Sequence, residues 1–243
     1  PPSAMIKVSL ISLGCAKNDV DSDSMTQLLE HDGYLSVSNP RKASILIVNT
    51  CGFIGPAREE SYSMLHTMVE NKLPHQLVIA AGCLTQRYGA EVARQVPGVD
   101  GILGTRHWMD ILDVVKQLRM RSHPSSGSQI RPDPLYHLPE TPNISTDDTS
   151  VLRATVSGTS AYLKIADGCR RPCAFCAIPS IKGTAVSRPI ERMEISMLRP
   201  KSASTRTGRV KGTSSEERTT TTRTRALLAC TRFERNGATT PAE

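Results

Sequence analysis

The 243-residue sequence predicts an α/β fold: an N-terminal open parallel sheet with flanking helices. Three observations lead there. Short apolar runs of strand length alternate with longer amphipathic stretches, the pattern of repeated βαβ units. One run, Ile45-Leu46-Ile47-Val48, has no polar alternation, as expected of a strand covered on both faces. Three cysteines, Cys15, Cys51 and Cys83, each follow such a run directly or after one or two residues.

Residues 6–12 read as the first strand, ending at Leu13-Gly14-Cys15. Asp21 is expected to cap a helix that runs to about His31, with Met25, Leu28 and Leu29 on its apolar face and Gly33 as its stop. Residues 44–50 form a second strand ending at Cys51. A helix from about 56 to 71 follows, with Pro56 in its first turn and Glu59 and Glu60 near its positive end. Residues 77–81 are a third strand, closed by Gly82-Cys83, and a helix covers about 86–96. A fourth strand at 99–103 leads to a helix at 107–119, whose apolar face holds Trp108, Ile111, Leu112, Val115 and Leu118.

Open α/β sheets bind ligands at the carboxyl ends of their strands. The cysteine spacings of 36 and 32 residues are each about one βαβ unit. If the three strands are neighbours, Cys15, Cys51 and Cys83 meet at one sheet edge as a three-thiolate site. The alternative for each cysteine taken singly is a small buried hydrophobe at a strand end.

Residues 120–150 hold five prolines and no periodicity, so 121–150 reads as a linker or a surface loop after a domain of residues 1–120. His123 and His137 lie there without metal-ligand spacing and read as solvated. A second unit spans 151–200. It opens with strands Leu152–Val156 and Tyr162–Ala166 around a Ser157-Gly158-Thr159 turn, and a helix starts near Ile190-Glu191.

The second strand leads to Asp167-Gly168-Cys169-Arg170-Arg171-Pro172-Cys173-Ala174-Phe175-Cys176, three thiols at C-x3-C-x2-C spacing. Thiolates select iron–sulfur clusters, zinc or Cu(I). Structural zinc wants four ligands, yet Cys230 is 54 residues beyond Cys176 and the nearest histidine is His137. Three ligands on a four-iron cluster would leave one iron open to a small molecule. Asp167 stands beside the triad as a polar neighbour able to tune it.

The net charge of +7 is concentrated at one end. Residues 201–243 carry nine Lys/Arg against four Asp/Glu, leaving 21 basic and 19 acidic groups in the first 200 residues. The near-neutral folded part argues against a nucleic-acid-binding surface, and a basic tail alone is weak evidence for one. The tail has eleven threonines and one short apolar run, so residues 201–243 are expected to be disordered, with no role for Cys230. No apolar run is long enough for a membrane span. With no leader-like start and seven cysteines, a reducing cytoplasmic location and metal or catalytic thiols are expected.

Four segments together resemble one family. They are Leu13-Gly14-Cys15-Ala16-Lys17-Asn18 with Asp21-Ser22; Asn49-Thr50-Cys51-Gly52-Phe53-Ile54; Gly82-Cys83-Leu84-Thr85-Gln86-Arg87-Tyr88-Gly89; and Tyr162 through Cys169 on to Ile178-Pro179-Ser180-Ile181-Lys182-Gly183. This set is similar to the methylthiotransferase family of radical S-adenosyl-L-methionine (SAM) enzymes, over roughly residues 6–198. Its variants are closer to the branch that modifies an aspartate of a small-subunit ribosomal protein than to the tRNA-modifying branch.

The resemblance implies two 4Fe-4S clusters. Cys169, Cys173 and Cys176 would hold the one that binds and reductively cleaves SAM, producing a radical that takes hydrogen from the substrate. Cys15, Cys51 and Cys83 would hold the one from which sulfur is delivered. It also implies an electron donor as partner and the start of a partial TIM-like barrel after residue 151. The family-like text stops near Leu198, which suggests a truncated or frameshifted sequence: a chain able to fold its N-terminal domain but catalytically crippled, or a non-catalytic iron–sulfur-binding fragment. A zinc-binding interaction module is the reading from a different class.

Overall fold

The structure, a computed structural model, describes residues 5–121, 133–141, 151, 153–157 and 159–188. The chain opens with β1 (Lys7–Ser12), α1 (Ala16–His31) and β2 (Leu35–Ser36), then β3 (Ile45–Thr50), α2 (Gly55–Asn71), β4 (Leu77–Gly82) and α3 (Cys83–Gln95). β5 (Gly101–Gly104), α4 (Ile111–Arg121) and β6 (Leu135–His137) complete the α/β part. All six strands pair in parallel, in the order β2-β1-β3-β4-β5-β6. The open parallel sheet with flanking helices is therefore as expected. The order reverses between β1 and β3, which puts the crevice of the sheet at their carboxyl ends.

The unbroken apolar run of β3 is explained by its two faces. Ile45 and Ile47 point into one core with Met25, Leu28 and Leu29 of α1 and Ile111, Val115 and Leu118 of α4. Leu46 and Val48 point into the other, with Leu65 of α2 and Leu84 and Val92 of α3. All six β3 residues are buried. No helix among the described residues is long and apolar enough to cross a membrane.

Several elements differ from expectation. α1 begins at Ala16, with Cys15 as its N-cap and no side-chain capping bond, so Asp21 is not a cap but a buried residue inside the helix. Gly14 at φ 95° makes the turn that starts the helix early. α3 begins at Cys83 because Gly82, at φ 106°, turns β4 straight into it. It kinks at Tyr88, near where the helix at 86–96 was expected. A 3-10 stretch, Thr105–Asp110, precedes α4. The edge strands β2 and β6 are two and three residues long, too short to give a readable period, and β6 lies in the proline-rich stretch.

After residue 151 come β7 (Ala154–Ser157) and β8 (Ser160–Leu163), an antiparallel pair as the turn predicts. β9 (Ala166–Asp167), α5 (Ile178–Lys182) and β10 (Val186–Ser187) follow, with β9 and β10 antiparallel. Where a barrel is expected to start, the described residues thus give two antiparallel pairs and a five-residue helix. The helix expected near Ile190, the tail with Cys230, and His123 lie outside the described residues.

Candidate metal centres

β1, β3 and β4 are adjacent strands, and each delivers one cysteine at its carboxyl end. The three turns lie against one another. A Cβ on Gly14 would stand 2.6 Å from Cys51 Cβ and 2.9 Å from its Sγ. A Cβ on Gly52 would stand 2.6 Å from Leu84 Cα, on the first turn of α3. Asn18 ties the turns together: its Nδ2 donates to the carbonyls of Leu13 (2.9 Å) and Thr50 (3.0 Å), and its Oδ1 accepts from Cys83 Sγ at 3.7 Å. Asn49 Nδ2 donates to the Asn18 carbonyl and to Ser22 Oγ, and the Cys51 N–H donates to Ser61 Oγ. Cys51 and Cys83 are buried and Cys15 is exposed, so the site opens to solvent on one side. Burial pushes the Cys83 thiol above its ordinary pKa.

The second triad sits in the loop between β9 and α5. Cys173 is exposed, and Cys169 and Cys176 are half-buried. Cys169 N–H donates to the Gly183 carbonyl at 3.1 Å, and Arg171 N–H points at Cys169 Sγ at 3.4 Å. Cys176 N–H donates to the Cys173 carbonyl at 3.1 Å, closing the turn.

Each donor set is three thiols, one short of the four ligands that a structural zinc takes. Four sulfurs on zinc, each at about 2.3 Å, stand about 3.8 Å apart. Among the described residues only one group of three His, Cys, Asp or Glu has all its donor atoms within 4.8 Å of one another, and it is neither cysteine triad.

That group is His107, Asp110 and His137. Asp110 Oδ2 lies 2.9 Å from His107 Nδ1 and 2.6 Å from His137 Nε2, while His107 Nε2 lies 2.7 Å from the Thr141 carbonyl. His137, expected to be solvated, is instead a half-buried β6 residue with a carboxylate partner. These bonds tie the β6 edge to the approach to α4.

A buried charge cluster joins the two triads. Asp21 Oδ1 accepts from Arg153 Nη2 at 2.5 Å and from Lys164 Nζ at 2.8 Å, and Lys182 Nζ donates to Asp21 Oδ2 at 3.0 Å. Lys164 Nζ also lies 2.5 Å from Asp167 Oδ2, an ion pair by distance whose angles do not make it a hydrogen bond. Arg153 stacks 4.0 Å from the Trp108 ring centroid. Burial alone would raise the Asp21 pKa, but Lys164, Lys182 and Arg153 outweigh it and hold the carboxyl far below the carboxylate range. Burial would lower Lys182, but Asp21 and Asp167 raise it well above the ordinary lysine value. Lys164 is left below that value, because burial outweighs its carboxylates. Sequence reasoning assigned Arg153, Lys164 and Lys182 no role.

Residues 7–104, which hold five of the six sheet strands and the first triad, match the family described as Uncharacterized protein family UPF0004. That match runs from the start of β1 to the end of β5. The chain is 41% identical over 197 residues to the ribosomal protein uS12 methylthiotransferase RimO of Roseiflexus sp. (strain RS-1), covering 76% of this chain and 41% of that protein. Against the proteins of the same name from Myxococcus xanthus and Geobacter sulfurreducens, identity is 40% over 185 residues and 37% over 191. Those alignments cover 75% and 78% of this chain and 36% and 40% of the relatives. The chain is RimO-like in the part it shares with them, and it spans about two fifths of the length of these curated relatives.

Proposed function

We propose that this chain carries the cluster-holding portion of a radical SAM methylthiotransferase whose substrate is the small-subunit ribosomal protein uS12. The carrying observation is the meeting of Cys15, Cys51 and Cys83 at one sheet edge, with the C-x3-C-x2-C loop tied to the same domain through Asp21. The names of the relatives supply the substrate and the reaction. Cys15, Cys51 and Cys83 would hold one 4Fe-4S cluster, and Cys169, Cys173 and Cys176 a second that also binds SAM. When bound, these groups supply hydrogen abstraction at the substrate carbon and the methylthio group. The protein's part is to fix the ligands. Asn18 and Ser61 hold the first triad's turns, and the Cys169–Gly183 bond fixes the start of the second triad. The domain reading stays a proposal: an α/β domain at 1–120, a linker at 121–150 whose residues 135–137 add an edge strand to that domain's sheet, and a second unit at 151–200.

Iron and sulfide content after anaerobic reconstitution tests this reading. The unaltered chain should hold about eight irons, and a Cys15→Ala/Cys51→Ala/Cys83→Ala variant about four. Zinc in place of iron sinks the radical SAM reading. Incubation with SAM, a one-electron reductant and either a uS12 peptide or tRNA then shows which of them gains the mass of a methylthio group.

A further inference from the structure

The five side chains joined by ion pairs around Asp21 do not balance. Asp21, Asp167, Arg153, Lys164 and Lys182 are each 8% exposed or less. In the forms their ion pairs imply, they are three cations against two carboxylates. Arg153 Nη1 has no hydrogen-bond partner. A net charge shut away from water is costly unless an opposite charge stands close by.

The counter-charge has a place. Lys182 reaches past Asp21 to the sheet: its Nζ donates to Thr105 Oγ1, directly after β5, as well as to Asp21. Asp21 lies one helical turn beyond Asn18, which accepts from Cys83 Sγ. α5, which ends at Lys182, packs on α3, which begins at Cys83. A four-iron core of charge +2 on three thiolates carries one net negative charge, equal and opposite to the excess.

We propose that Lys182 is a positioning residue for the group held by Cys15, Cys51 and Cys83, providing the buried positive charge that balances it. The Asp21 cluster thereby makes that site depend on docking of the segment that carries the second triad. This rests on the iron–sulfur reading above. A zinc ion on three thiolates would carry the same charge, so metal analysis of the unaltered chain separates the two failures: zinc overturns that reading, and this inference with it.

The test uses the full chain with Cys169, Cys173 and Cys176 replaced by Ala, reconstituted with iron and sulfide and titrated potentiometrically with EPR detection. Lys182→Met should lower the midpoint potential of the remaining cluster, because the added electron loses a buried cation. Lys182→Arg should restore it. Asp167→Asn removes a buried negative charge and should raise it. A merely structural role would move both non-conservative variants the same way. Equal potentials in all variants, or shifts of one sign, overturn the proposal. If Lys182→Met binds no iron, Asp167→Asn decides: a raised midpoint supports the proposal and an unchanged one overturns it.

Discussion

Replacing Asp21 by Asn should lower the unfolding free energy of the chain by about 3–5 kcal/mol, the range for removing one partner of a buried ion pair. Three cations converge on this one carboxylate at 2.5–3.0 Å, and each would be left facing a neutral amide in a site closed to water. Denaturant unfolding of the full chain measures it. A loss below about 1 kcal/mol would mean that the cations reach solvent.

The same residue sets an acid limit. A carboxyl held far below its unfolded pKa stabilises the fold fully above about pH 4 and loses that contribution as pH falls towards its folded value. Lys182 is shifted upward, so its contribution is complete below about pH 10 and is lost only in stronger alkali. Stability of the unaltered chain should therefore fall below about pH 4 more steeply than that of Asp21→Asn.

Gly52→Ala should remove the metal of the first triad, taking iron from about eight to about four, and destabilise the fold by about 1–3 kcal/mol. A methyl group there would lie 2.6 Å from Leu84 Cα and 2.8 Å from Leu84 N, where carbon contacts need about 3.5–4.0 Å. Backbone cannot swing aside as a side chain can, so the Cys51 turn must part from the turn carrying Cys83. Gly55→Ala is the control. Its added Cβ meets nothing within 4 Å at the start of α2, so iron content should be unchanged. Full iron in Gly52→Ala would show that the turns tolerate separation.

The alternation of strands and helices made the sheet legible, and the cysteines at strand ends made their meeting legible too, since both follow from local period and the rules of parallel sheets. Asp21 was not legible. Read locally it is a helix cap, and the cations that bury it lie 132 to 161 residues away. Lys182 and Arg153 were hidden for the same reason: an ion pair leaves no pattern in either partner's own segment. His137 was hidden because three residues of edge strand in proline-rich text have no period to read. Asn18 and Asn49 stood in the motif text at three residues after one cysteine and two before another, and that offset was the one available signal.

The span between Asp21 and Lys182 also sets an order of events during synthesis. At roughly 5–20 residues per second, the ribosome needs on the order of ten seconds or more to make the residues that separate Asp21 from its last cation. The pairings among β1, β3, β4 and β5 are complete in sequence by Gly104, so the nascent sheet can gather Cys15, Cys51 and Cys83 while the carboxylate behind them still faces water. Over that interval the first triad is gathered without the cation proposed to balance it, and the emergence of Lys182 completes the set around Asp21.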